Sequence, residues 1–299
     1  DMTTVRMLSL HESYLLSPKL KWVWLIITAE SLRAHLEDNL FGQPLAMEVC
    51  HMLQGHRNSI ARNEGADKPL SISMHGWPGT GKNYVAQFIA KSLFTEGMDS
   101  QFVKLYIGRN DFPDKNRVSF YQVAMLKSCP VALIIFDEVN DIPPGVLNVL
   151  KPFMDHHGVV DGVNFRNVVF LFLSNVNGNE IANHLIKLNK DRDSLVMADF
   201  DEVLRKGVYK ADGGFKDADV IYSQLIDHFI PFLPLEKHHV EKCVEAEFKK
   251  LVPICYLLPS YIHDIVSIHN NNNTHVFFCI FLIIFFYPPT PLLCHLNAP

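Results

Sequence analysis

The chain has 299 residues, 48% hydrophobic and 20% charged, with 27 Lys and Arg against 32 Asp and Glu. That length carries a sizeable core plus a small second unit, while the mild acidity and the lack of a dense basic run argue against a nucleic-acid partner. Its 6 cysteines include no C-x-x-C pair, which argues against a zinc site or a thioredoxin-type redox motif.

The first residue is Asp1 rather than Met, which reads as a fragment or an incomplete gene prediction. "WVWLIITA", Trp22 to Ala29, is too short to span a bilayer and reads as a buried or membrane-adjacent segment. Residues 30–60 read as helix interrupted at Gly42, with Pro44 suited to the first turn of a second helix. "PLSISM" then reads as a strand that runs directly into "GWPGTGKN", Gly76 to Asn83. Beyond it, Tyr84, Val85, Phe88, Ile89 and Leu93 share one helical face.

Four more strands follow: "FVKLYI" (Phe102 to Ile107), "VALIIF" (Val131 to Phe136), "VVFLFL" (Val168 to Leu173) and "HFIPFL" (His228 to Leu233). The unbroken apolar runs suit strands covered by helices on both faces. Their alternation with helical stretches predicts an α/β fold, a doubly wound parallel sheet of about five strands. From about Leu251 the charge nearly disappears, and Asn270 to Asn273 precede "VFFCIFLIIFFY", Val276 to Tyr287. That run falls short of a spanning helix, and "PPTP" stops its extension. The tail reads as translated non-coding sequence, with a membrane hairpin or anchor as the alternative; Asn272 heads an N-N-T sequon within it.

The chemistry starts at Gly76. "GWPGTGKN" fits the phosphate-binding loop G-x-x-x-x-G-K-[ST] at every position but the last. Polyphosphate needs N–H donors converging on one point, and a loop entering a helix N-terminus supplies them. Gly76, Gly79 and Gly81 let the backbone approach closely, with Trp77, Pro78 and Thr80 between them, and Lys82 brings a charge to the β- and γ-phosphates. Asn83 stands where a hydroxyl normally meets Mg²⁺; its amide oxygen can take the ion or a water bound to it.

Asp137 and Glu138 end the run "VALIIFDE", at a strand terminus where α/β ligands bind. Asp137 can hold Mg²⁺ and Glu138 can orient and polarise an attacking water; the plainer reading is a solvated strand end or a helix cap. Asn175 ends "FLFLSN" and can reach a γ-phosphate, although asparagine is also a common turn residue. A P-loop, then D-E, then a strand-end Asn is the layout of an AAA+ ATPase.

"SMHGWPGTGKNYVAQFIAKSLFTEG", "LIIFDEV", "VVFLFLSN" and "LIDHFIPFLPLEKHHVEKC" together resemble the torsins, AAA+ ATPases of the endoplasmic reticulum lumen and nuclear envelope, from about Leu36 to Lys250. An Asn after the P-loop lysine is a torsin hallmark, and "LFGQPLA" matches the segment before the P-loop in torsins and Clp-type unfoldases. The resemblance implies ATP on Gly76 to Asn83, magnesium near Asp137, Glu138 as catalytic carboxylate and Asn175 as sensor. It also implies a weak ATPase that acts on protein clients as a homo- or hetero-oligomer, completed by a membrane-anchored partner whose lumenal domain donates an arginine finger.

Where Clp-type relatives carry a finger arginine this chain has Leu225; Arg192 and Arg205 are internal candidates, read more simply as solvated helix charges. The Gly-Cys-Lys motif of torsins, whose cysteine would pair with Cys243, is absent after Lys250. "LYIG", Leu105 to Gly108, resembles an unfoldase pore loop but reads better as strand. The expected organisation is an N-terminal extension (1–35), an AAA+ nucleotide-binding domain (36–235) and a truncated helical lid with an aberrant apolar tail (236–299).

Overall fold

The computed structural model describes residues 29–62, 66–112, 131–156, 158–160, 162–210, 212–216 and 218–255. Trp22 and Trp24 of the apolar N-terminal segment, Cys129, the sequon at Asn272 and the run Val276 to Tyr287 lie outside the described residues. The chain divides into two compact units, residues 1–236 and residues 237–299.

In the first unit, helix α1 (Ala29–Asn39) is followed by a turn at Gly42, a 3-10 helix Pro44–Met47 and helix α2 (Glu48–Ala61). Pro44 sits in the first turn of the 3-10 helix, where its missing N–H costs nothing. Next come β1 (Leu70–His75), α3 (Lys82–Leu93), β2 (Val103–Ile107) and β3 (Leu133–Asp137). A two-stranded antiparallel hairpin, β4 (Val159–Val160) with β5 (Val163–Asn164), precedes β6 (Val169–Ser174). Helices α4 (Gly178–Leu188) and α5 (Asp201–Lys210) then lead to β7 (His228–Pro231).

The main sheet has the order β2-β3-β6-β1-β7, and every pairing in it is parallel. Successive side chains of a strand face opposite sides, so β3 sends Leu133 and Ile135 towards α1, α2 and α3, and Ile134 and Phe136 towards α4 and α5. On the first side they meet Leu36, Val49, Val85 and Ile89; on the second, Ile181, Leu204 and Val208. Burial on both faces is why β3 and β6 carry no polar alternation, whereas β1 alternates with Ser71, Ser73 and His75, polar side chains that are themselves buried. Phe136 and Phe172, both fully buried, stack with ring centroids 5.2 Å apart, and each such side chain contributes about 1.5–3 kcal/mol by leaving water.

β2 differs from the central strands. It is an edge strand, its residues are only partly covered, and Leu105 is 38% exposed. Tyr106 lies inside it, its ring 5.4 Å from Phe136, so "LYIG" is strand followed by a short helical turn at Gly108–Asp111.

The second unit is described through helix α6 (Lys237–Cys255). It carries Cys243, a free thiol whose pKa burial raises. Among the described residues no helix is long and apolar enough to cross a membrane.

Candidate nucleotide site

β3, β6 and β1 are neighbours in the sheet and parallel, so their C-terminal ends share one rim. At that rim β1 runs into Gly76, β3 ends at Asp137 and β6 ends one residue before Asn175. Ligands of open α/β sheets bind at this edge.

The loop is wedged into place from its first residue. The Gly76 N–H donates to the Ser174 carbonyl at 3.3 Å, and a Cβ at Gly76 would fall 2.4 Å from the Phe232 carbonyl oxygen. Only glycine fits there. Gly81, at φ +105°, caps α3 in a conformation that L side chains rarely adopt.

Lys82 is 5% exposed, and its ammonium donates to the carbonyls of Gly76 (2.7 Å) and Trp77 (2.9 Å). Burial pushes its pKa down to about 8, and the nearby Asp137 carboxylate opposes that shift. Next along α3, Asn83 Nδ2 donates to Asp137 Oδ2 at 2.7 Å. The amide nitrogen therefore faces the carboxylate, and a half-turn of the amide would present its oxygen instead.

Glu138 follows in the left-handed region at φ 52°, its N–H donating to Asp137 Oδ1 at 2.8 Å. A non-glycine residue held there costs about 1 kcal/mol or more, a kind of strain that collects at functional sites. Its carbonyl is fixed by the Asp141 N–H at 2.8 Å and crowded by Gly108, where a Cβ would come within 2.3 Å.

Asn175 is exposed at the same rim, and its N–H donates to Asn140 Oδ1 at 3.3 Å. Asn140 Nδ2 donates to Asp141 Oδ1 (2.8 Å), and Asp141 Oδ2 takes two bonds from Arg109. A hydrogen-bonded chain thus crosses the rim from the end of β2 to the end of β6. Asn140 escaped the sequence reading, because its only local signal is a polar residue two places after Glu138.

Gln43 is 2% exposed and was visible only as part of "LFGQPLA". Its Nε2 donates to the carbonyls of Thr80 (3.0 Å) and Leu233 (2.8 Å), and its Oε1 accepts the Leu233 N–H (2.8 Å). One side chain therefore joins the phosphate loop to the segment after β7.

One sequence expectation is corrected here. Arg192 is not a solvated charge: its guanidinium donates to the carbonyls of Gly42 (3.0 Å) and Pro234 (2.7 Å) and to Glu236 (2.9 Å), with the side chain only 14% exposed. Arg205 fits its reading as a solvated helix charge: its side chain is 41% exposed, pairs with Asp201 one turn away in α5 and lies 5.2 Å over the Phe229 ring. Leu225 is buried in the core at 8% exposure, and its carbonyl accepts the Ser71 hydroxyl. A further finding concerns Trp77. Its backbone belongs to the loop, but its indole turns away to α4, donating to Asn179 Oδ1 at 3.0 Å.

A separate groove of about 950 Å³ opens at the opposite, N-terminal end of β1 and β7, beside His56, Lys68 and Asp227. It is far along the strands from the rim and takes no part in the chemistry above.

The donor set suits a magnesium nucleotide. Backbone N–H groups open α3, an ammonium lies beneath the loop, and a hard oxygen ligand at Asp137 touches Asn83. A parallel sheet with its P-loop after β1 and an acidic pair after β3 is the P-loop AAA+ fold. Solved structures of Hsp104, among them the ADP complex of the Saccharomyces cerevisiae protein, share it. The Hsp104–ADP complex superposes with a TM-score of 0.52 at 17% identity, over 75% of this chain and 39% of that one. A closed state of Hsp104 with ATPγS and FITC casein gives 0.55 at 18% identity, over 78% and 41%.

The family described as Torsin matches residues 23–133. A torsin-like protein of Drosophila melanogaster is 43% identical over 228 residues, 73% of this chain and 66% of the relative. One of Caenorhabditis elegans is 38% identical over 235 residues, 74% and 64% respectively. The chain belongs to the torsin family, and it spans just under two thirds of the length of these two relatives.

Proposed function

We propose that the protein binds Mg·ATP on the loop Gly76 to Asn83 and hydrolyses it slowly, with turnover completed by an arginine from a partner. The observation that carries this reading is the contact of Asn83 with Asp137 at 2.7 Å, one residue after the buried Lys82. It joins the helix that opens at the phosphate loop to the carboxylate that would hold the metal. Asp137 and Asn83 would be the protein ligands of Mg²⁺, directly or through water, and the ion would neutralise charge on the β- and γ-phosphates.

The remaining roles fall to the chain's own groups. Lys82 neutralises phosphate charge, and the first N–H groups of α3 point at the same oxygens. Glu138 orients the attacking water and accepts its hydrogen bond. Asn175 holds that water or a γ-phosphate oxygen from the neighbouring strand. The arginine is assigned to a partner because Leu225 is core, while Arg192 and Arg205 are already engaged within the fold.

Family membership supports the wider reading: an oligomeric ATPase of the endoplasmic reticulum lumen and nuclear envelope that remodels protein or membrane-associated complexes, activated by a membrane-anchored arginine-finger protein. The Hsp104 neighbours, one of them bound to casein, support protein clients.

The test is ATP binding and hydrolysis by the wild type, Lys82→Ala and Glu138→Gln. Lys82→Ala is expected to lose binding, and Glu138→Gln to bind as the wild type does without turnover. If Glu138→Gln turns over normally the catalytic assignment fails. Binding without any turnover, even with an arginine-bearing partner, would leave the alternative of a nucleotide-dependent interaction module.

A further inference from the structure

Trp77 has its backbone in one functional segment and its side chain in another. Its carbonyl accepts from Lys82 Nζ at 2.9 Å and from Thr80 Oγ1 at 2.8 Å, inside the phosphate loop. Its indole, 41% exposed, reaches across to the first residues of α4. There the indole N–H donates to Asn179 Oδ1, and the ring edge lies so close on Gly178 that a Cβ would come within 2.1 Å of Cδ1. Gly178 and Asn179 stand three and four residues beyond Asn175.

The intervening segment has little freedom. Asn140 fixes the Asn175 N–H, and Asn177, 4% exposed at φ 67°, donates its Nδ2 to the Leu204 carbonyl in α5. Gly207 of α5 packs against that amide so tightly that a Cβ would come within 2.0 Å of Asn177 Oδ1. Asn175 and the first turn of α4 are thus joined through a short segment held on both sides.

We propose that Trp77 is a positioning residue that ties the phosphate loop to the segment bearing Asn175, so that Asn175 is set by what the loop holds. The proposal rests on the ATPase reading above. An ammonium has three donors, and Lys82 gives two of them to the Gly76 and Trp77 carbonyls. Bridging two phosphate groups needs two, so one carbonyl is surrendered when the β- and γ-phosphates are both engaged. Movement of the Trp77 backbone then passes through a rigid indole to Gly178. A sequence with a smaller residue at this position would keep the loop and lose the connection.

The experiment uses the full chain and two readouts, the dissociation constant for Mg·ATP and the single-turnover hydrolysis rate with protein in excess. Trp77→Ala and Gly178→Ala, which remove or displace the ring, are expected to slow hydrolysis about tenfold or more, with affinity changed less than about threefold. Asn179→Ala is expected to slow it as well, and Asn179→Asp, which keeps an acceptor for the indole N–H, to restore it. If Gly178→Ala fails to fold, the Asn179 pair decides. Wild-type rates in Trp77→Ala and Asn179→Ala, or a loss confined to affinity, would overturn the proposal while leaving the ATPase reading intact. A wild type without Glu138-dependent turnover, even with an arginine-bearing partner added, would overturn both.

Discussion

Asn83 Nδ2 donates to Asp137 Oδ2 at 2.7 Å, so the residue that replaces the usual P-loop hydroxyl is bonded directly to the strand-end carboxylate. An amide donor suits that place because it satisfies the carboxylate and, turned over, offers an oxygen to a metal. Asn83→Asp removes the donor and sets two carboxylates side by side. The expected result is a loss of about 1–2 kcal/mol in the absence of divalent ions, recovered on adding Mg²⁺, because a cation between two carboxylates replaces repulsion with coordination. Thermal unfolding with and without Mg²⁺ measures it, and an equal deficit in both conditions would disprove it.

Lys82 gives a pH dependence with a definite direction. Burial holds its pKa at about 8 against an ordinary 10.5, so between those values the unfolded chain binds more protons than the folded one. Stability of the ligand-free wild type should therefore rise, relative to Lys82→Met, as pH climbs from about 8 towards 10. Nucleotide affinity should move the other way. Phosphate needs the ammonium, so binding above pH 8 takes up a proton and weakens about tenfold per pH unit. Calorimetry of the wild type in two buffers of different ionisation enthalpy counts that proton, and equal binding heats in the two buffers above pH 8 would disprove it.

The parts legible in the sequence were those set by near neighbours along the chain. The apolar runs of β3 and β6, the break at Gly42 and the glycine pattern of the loop each depend on local periodicity or backbone freedom, and each falls where expected. The contacts that hold the site together are long-range and side-chain specific. Gln43 meets Leu233 across 190 positions, Trp77 meets Asn179 across 102, and Arg192 meets Gly42 across 150. Nothing in the residue types at those spacings announces a pairing. Arg192 is such a case: a polar stretch around it suggests solvent, and only the folded chain brings two carbonyls and a carboxylate to its guanidinium.

His75, the last residue of β1, offers a second titration of known direction. It is fully buried, its ring 5.9 Å from Phe215 and 5.8 Å from Phe229, with Nε2 bonded to the Ser73 hydroxyl at 2.7 Å. Burial pushes its pKa down to about 3 from 6.5, and the Lys82 charge adds to the effect. From pH 6.5 down to about 3 the unfolded chain binds a proton that the folded chain refuses, so stability falls with acidity by about 1.4 kcal/mol per pH unit. Urea unfolding at pH 6, 5 and 4 should show that extra slope in the wild type relative to His75→Gln. Parallel lines for the two proteins would mean that His75 is protonated in the fold.

Gln43 and Arg192 form a strap in which residues 42 and 43 are fastened to residues 233 to 236 beside the phosphate loop. The two fastenings differ in how water can replace them. Gln43→Ala leaves the Leu233 N–H and the carbonyls of Thr80 and Leu233 without their partner in a buried place, at a cost of about 3 kcal/mol. Arg192→Ala frees the Gly42 and Pro234 carbonyls nearer the surface, where solvent can reach them, and should cost about 1–2 kcal/mol. Because both hold the same pair of segments, the double variant should lose less than the two single losses added together. Denaturant unfolding of the four proteins tests this, and strict additivity would show that the fastenings act independently. Gln43→Glu sharpens the point: a carboxylate keeps the side chain's size but turns an acceptor towards two carbonyls, so it should be more destabilising than alanine.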